Sequence, residues 1–223
     1  MGYTTYYRQK RDMTDEEFTG FCEDVKKLHE ALPATVGDFV ERYGPTAGSS
    51  DGDEQLPLAI VSQGLVGAGK SIFGKGVVGF NGAGYADADH ETFWLPQKIA
   101  NGAQKWEMED VAKGNRFHFT KTARKPYDVM VCACLLALKK RAASAWEISS
   151  DGNVADWASS YRFAKSALGT KVLPLSKIGS FKKDAEELSK AQSPTPWMLA
   201  QQERRDLERQ SQAKPKPARA RGL

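Results

Sequence analysis

Cysteine and histidine are scarce in this chain, with three of each among 223 residues. That scarcity excludes a disulfide framework and leaves few soft ligands for a zinc or copper centre. Cys132 and Cys134 lie two apart on a predicted helix and point in different directions, so they cannot bridge each other there. Cys22 falls on the apolar stripe of another helix, and all three read as small core residues in a reducing compartment. Long apolar runs are missing as well. No segment approaches the ~20 residues needed to cross a bilayer, and the opening MGYTTYYRQKRD has no apolar stretch. Gly2 is followed at the sixth position by Tyr6, where a myristoylation signal has Ser or Thr. The expected location is the cytoplasm.

The main part of the chain also lacks a surplus of charge. The net charge is +4, yet residues 201–223 alone hold seven Lys or Arg and three acids, leaving 25 of each sign in residues 1–200. Attraction to polyanions therefore belongs to the tail, and a dedicated DNA-binding face with a basic stripe on the folded part is not expected. With 40% hydrophobic and 27% charged residues, the composition is that of a globular domain with a true core. No internal repeat is visible.

Residues 3–8 alternate aromatic and polar side chains like a strand. Thr14 and Glu17 form a capping box, and Phe18, Phe21, Cys22, Val25, Leu28, His29 and Leu32 then keep helical spacing up to Pro33. A shorter helix carries Val36, Phe39, Val40 and Tyr43 and ends at Gly44-Pro45. Strands are expected over 58–62, 77–80 (before an Asn81-Gly82 turn signal), 90–95, 116–120 and 145–149. Residues 97–115 match no regular pattern. Helices are expected over 126–141 and from Asn153 to a Gly169 cap. Beyond residue 170 the composition thins to a short amphipathic helix over 181–191 and another over 195–212, whose only large apolar groups are Trp197, Met198, Leu199 and Leu207. The final KPKPARARGL cannot bury enough apolar surface to order itself. The fold class is α+β: a single domain, residues 1–170, with a mixed β-sheet packed by about three helices. A C-terminal extension, residues 171–223, of weak helices and a basic disordered end follows it.

Residues 64–71, GLVGAGKS, fit the P-loop pattern and follow a predicted strand. A P-loop also needs a helix starting at its lysine, so that helix N–H groups hold the phosphates. Here SIFGKGVVGFNG follows, where each interior glycine costs a helix about 1 kcal/mol and Val77-Val78 favours a strand. A glycine-rich connection is the better reading.

The richest stretch is FHFTKTARKPYDVMVCACLLALKKR, residues 117–141. Lys139, Lys140 and Arg141 suit the negative end of the expected helix, but Lys121, Arg124 and Lys125 crowd its positive end. Something anionic must compensate them. An internal network offers His90, Glu91, Asp128 and Asp151 as polar partners, with Glu91 and Asp151 as the counter-ions. The other candidate is an anion-binding site made by Lys121, Arg124 and Lys125 at the helix N-terminus. Asp128 itself reads as a first-turn acid that favours the dipole. Asp87, Asp89, His90 and Glu91 have metal-like spacing, but in a strand His90 and Glu91 point to opposite faces, so no metal and no cofactor are expected. No Ser/His/Asp or Cys/His arrangement is legible.

Five segments resemble an uncharacterised family of bacterial and phage proteins: GYTTY at 2–6, GFNG at 79–82, HETF at 90–93, KTARKPYD at 121–128, and SDG at 150–152 with Asp156-Trp157 after it. The resemblance implies a bacterial or phage origin and carries no activity with it. The resulting expectation is a non-enzymatic interaction or accessory protein of phage-like origin, in the host cytoplasm or associated with the virion. Its C-terminal extension would engage a protein partner or mediate self-assembly, with Trp197, Arg204 and Arg205 as contacts, and its basic tail would touch nucleic acid weakly. The alternative is an enzyme or binding protein for a phosphorylated small molecule or nucleotide at the helix starting at Pro126.

Overall fold

Residues 129–138 form an apolar block that is buried on every side, and the rest of the chain is arranged to cover it. The computed structural model describes residues 3–48, 52–62, 73–74, 76–169, 172–179, 181 and 185–213. The chain runs β1 (Thr4–Gln9), α1 (Asp15–Ala31), α2 (Val36–Tyr43), β2 (Ile60–Ser62), β3 (Phe73–Gly74), β4 (Val77–Gly82), β5 (Phe93–Pro96), α3 (Met108–Ala112), β6 (Arg116–Lys121), α4 (Asp128–Arg141), β7 (Trp146–Ser150), α5 (Val154–Leu168), α6 (Ala185–Gln192) and α7 (Pro196–Ala213). Among the described residues no helix is long and apolar enough to cross a membrane.

The architecture is a single α+β domain with two small antiparallel sheets packed against helices. In the first sheet β1 lies between β6 and β7, antiparallel to both. β6 and β7 therefore run parallel to each other, one strand apart, with α4 as the crossover between them; this is a split β-α-β unit. Inserting β1 makes every bonded pair of this sheet antiparallel, and with the separate second sheet two antiparallel sheets stand where a single mixed sheet was expected. In the second sheet β4, buried along its whole length, pairs with β2, β3 and β5. Tyr7 joins the two sheets. Its hydroxyl donates to the Trp94 carbonyl at 3.0 Å, shares a 2.9 Å hydrogen bond with Thr120 Oγ1, and its ring stacks on His118.

The helices start where the sequence caps them. Thr14 and Glu17 close a capping box on α1, and Asn153 and Asp156 close one on α5. α1 and α5 both pack on α4, as expected of the helices beginning near Thr14 and Asn153. Arg141, at the end of α4, donates to both oxygens of the fully buried Asp24 of α1, at 2.6 and 2.9 Å. Lys139 donates to the carbonyls of Ala143 and Trp146, stapling the turn into β7.

Two local expectations change. Asn81-Gly82 is not a turn: both residues stay in β4, opposite Val61 and Ile60. The Asn81 amide reaches the His90 carbonyl at 2.9 Å, and a Cβ on Gly82 would collide with the Ala88 carbonyl and the Tyr127 ring. The strand expected from His90 begins only at Phe93. The P-loop-like residues 64–71 lie outside the described residues; the chain after them forms β3 and β4, with the strand over 77–80 where it was expected.

The core continues past residue 170. Val172, Leu175, Ile178, Phe181 and Ala191 are buried in the same cluster as α4, and Phe181 meets Trp157 edge-on at 5.5 Å. The unpatterned residues 97–115 are held by one buried arginine. Arg116 pairs with Glu107 at 2.7 Å and donates to the carbonyls of Ile99, Asn101 and Gly102, so every donor direction is used. Removing one member of a buried pair strands the other charge, at a cost of about 3–5 kcal/mol. Arg116→Ala is expected to lower the unfolding free energy obtained from urea titration by that much and to release residues 97–107 to rapid hydrogen exchange. Unchanged stability would show that this clamp is dispensable.

Candidate functional site

The polar segments singled out in the sequence converge where β1, β6, α4 and α5 begin or end. Tyr3 enters from the start of β1, HETF from the loop before β5, KTARKPYD from the β6–α4 connection, and SDG from the β7–α5 turn. GFNG supports them from behind, through Asn81 on the backbone of His90 and Gly82 against Tyr127. The connection 122–127 is tightly wound. Thr122 accepts from the Lys125 N–H at 3.0 Å, Ala123 donates to the Tyr3 carbonyl at 3.3 Å, and both Ala123 and Arg124 adopt left-handed backbone, with φ of 51° and 61°. Non-glycine residues held there cost of order 1–3 kcal/mol each. Pro126 opens a turn, and α4 proper begins at Asp128.

Two of the opening cations, Arg124 and Lys125, are answered from within the chain, by carboxylates other than those expected. Arg124 lies 3.7 Å from Asp156 of α5 and its guanidinium sits 4.7 Å over the Tyr3 ring. Lys125 reaches Asp87 twice, at the carboxylate (3.0 Å) and the carbonyl (2.7 Å). Glu91 accepts from the backbone N–H of Lys121 at 2.7 Å, while the Lys121 ammonium makes no ion pair among the described residues. Asp151 accepts from the Tyr6 hydroxyl at 3.1 Å. His90 is exposed, and only its backbone joins the network. Gly152 is there for space: a Cβ would come within 2.5 Å of the Tyr3 ring.

Asp128 has a different role from the one its position suggests. It is buried, accepts from the Thr122 hydroxyl at 2.7 Å, and takes the Cys132 thiol at 3.7 Å. Burial pushes its carboxyl up to about 6, against the pull of these two donors. A first-turn acid is normally exposed and charged; this one is sealed between α4 and Tyr3.

Beside the network, Arg124 and Lys125 line a cleft of about 560 Å³ that also contains Thr46, Asp53, Leu56 and Asp87. Two cations and two carboxylates share it, so it has no net positive field. Among the described residues no group of three or more His, Cys, Asp or Glu side chains is placed to hold a metal ion. At the other end of the molecule Trp197 packs on Tyr43 at 5.6 Å, with Arg42 over its ring, while Arg204 and Arg205 are exposed on α7. Arg205 and Trp197 border a second groove, between α7 and the end of α5. The sequence reading missed Arg116, Asp156 and Asp87 as partners. Asp156 stood among the segments of the resemblance and at the N3 position of a capping box, and neither signal pointed to Arg124. Comparison with protein families, curated proteins and solved structures finds no match.

Two buried groups make opposite claims on acid stability. Asp128 holds its proton more tightly in the fold than in the unfolded chain, so its contribution is full at low pH and fades as pH rises through about 6. His118 is the reverse: burial, with Arg116 nearby, pushes it down to about 4, so its contribution is full above about 6.5 and is lost as pH falls towards 4. Between about pH 4.5 and 6.5 the two offset each other. Asp128→Asn should therefore lose roughly 1–3 kcal/mol on acidification across that window, and His118→Phe should gain a similar amount. Urea titrations at each pH check this; parallel profiles for both variants and the parent chain would refute it.

Proposed function

We propose that the protein is a non-enzymatic interaction module, in which the α+β body carries α7 as a helical arm for association with another protein surface. The observation that supports this is the shape of α7. Its first turn is anchored by Trp197, by Met198 and by the Thr195 hydroxyl on the Arg42 carbonyl at 2.6 Å. From Gln202 to Gln210 every described side chain is exposed. A helix that is polar all round and unsupported by the body gains little from remaining helical alone. Residues 203–209 hold three acids and three arginines, a balanced set that fits a second copy of itself, and Leu199 and Leu207 stay exposed among them.

A bacterial or phage origin belongs to the same proposal; the five segments on which that likeness rests meet at one site. The alternative, a phosphorylated ligand at Arg124 and Lys125, is less well supported, because Asp53 and Asp87 share the cleft and the cations already have partners.

Sedimentation velocity over a range of concentrations tests the association. The full chain is expected to gain mass with concentration, and a chain ending at Ala200, which keeps the anchor and every core residue beyond 170, is expected to stay monomeric with the same melting temperature. A full chain that is monomeric throughout, or a shortened chain that associates equally well, overturns the self-association.

A further inference from the structure

The outer face of the β6–β1–β7 sheet carries three aromatic rings that the core does not use. On β6 the alternation sends Arg116, His118 and Thr120 inward and Phe117, Phe119 and Lys121 outward. The register sets Phe119 opposite Tyr6, and Phe117 opposite Arg8. Phe117 and Phe119 remain 40% and 51% exposed. The rings form a continuous layer: Tyr6 and Phe117 lie 6.0 Å apart with planes 21° from parallel, and Phe117 and Phe119 lie 6.2 Å apart at 33°. The Arg8 guanidinium sits 5.2 Å over the Phe117 ring, oriented by Asn115 Oδ1 at 2.9 Å. Lys121 ends the layer on one side, and Lys10 follows β1 on the other.

The carboxylates on this side are already engaged. Glu147 pairs with Lys10 at 3.2 Å, and Asp151 takes the Tyr6 hydroxyl. The Arg8 guanidinium and the Lys121 ammonium make no ion pair among the described residues, although Glu147 stands opposite Arg8 in the register and the Glu91 carboxylate takes the Lys121 backbone N–H. Aromatic faces interleaved with cations need an occupant that brings flat apolar rings and anionic groups in alternation. A second copy or an apolar peptide would cover the rings but desolvate Arg8 and Lys121 without compensation.

We propose that this face binds a short single strand of nucleic acid, its bases stacking on Tyr6, Phe117 and Phe119 and its phosphates meeting Arg8 and Lys121. Every base has a π-face, so such a platform tolerates sequence, and a duplex cannot offer its base faces to it. The near-neutral body is consistent with this, because stacking rather than long-range charge supplies the affinity. The basic tail is not required.

The test is fluorescence anisotropy of a labelled oligodeoxythymidylate of about ten nucleotides with the full chain at low salt. Phe117→Ala and Phe119→Ala should each weaken binding roughly 5- to 100-fold with unchanged circular dichroism and melting temperature. Lys121→Ala should lower the slope of log K against log salt by about 0.7, and the same oligonucleotide in a duplex should compete poorly. A full chain with Lys214, Lys216, Arg219 and Arg221 all changed to Ala should still bind within a few-fold of the parent. No binding at low salt overturns the proposal, as does binding indifferent to both phenylalanines or lost only with the tail cations. Phenylalanine variants that change the sedimenting mass and leave oligonucleotide binding alone would assign the face to contact between copies, which also overturns it.

Discussion

A helix that is apolar all round can be stable only inside a protein. α4 is such a helix, buried from Asp128 to Leu138, and most of the architecture serves to enclose it. α1 and α5 flank it, the first sheet packs through β7, and even Val172, Leu175 and Phe181 from beyond α5 contribute to the same core. Enclosure leaves only the two ends of the helix to meet polar groups. Its C-terminal end is tied down by Arg141 on buried Asp24 and by Lys139 on the carbonyls leading into β7.

The N-terminal end poses the harder problem, because cations and the positive helix end coincide there. Asp156 and Asp87 balance Arg124 and Lys125, and the Tyr3 ring supports the Arg124 guanidinium. Asp128 adds no dependable charge at mildly acidic pH, since burial favours its protonated form. The left-handed backbone at Ala123 and Arg124 is the strained element that this arrangement holds. The segments that look in sequence like a phosphate site meet in a polar joint that links β1, β6, α4 and α5 and pairs Arg124 and Lys125 with carboxylates of the same chain.

Much of the fold was legible from local rules. The capping box of α1, the alternation of β1, the strand β6 and the Gly169 stop of α5 all follow from backbone chemistry within a few residues. The Asn81-Gly82 signal misled, because a buried asparagine can satisfy its amide on a distant backbone, here that of His90, and remain in a strand. The candidate site was legible as a set of segments but not as a set of pairs. Glu91 and Asp151 were the expected counter-ions; one binds a backbone N–H and the other a tyrosine hydroxyl. Arg116 gave no sign in sequence, since nothing in a short strand distinguishes an inward arginine from an outward one until Glu107 is seen beside it.

By itself, the sequence determined the helices other than α3, most of the strands, the α+β class, the burial of residues 129–138 and the placement of the net charge in the tail. Each depends on contacts or composition close along the chain. Only the tertiary structure decided the two antiparallel sheets, the carboxylate partners of Arg124, Lys125 and Arg141, and the aromatic layer on the outer sheet face. The aromatic layer depends on β1 lying between β6 and β7, which brings Tyr6 and Arg8 beside Phe117 and Phe119 across more than a hundred residues. Pairings over that distance are selected by the packing of the whole domain, and no local pattern encodes them.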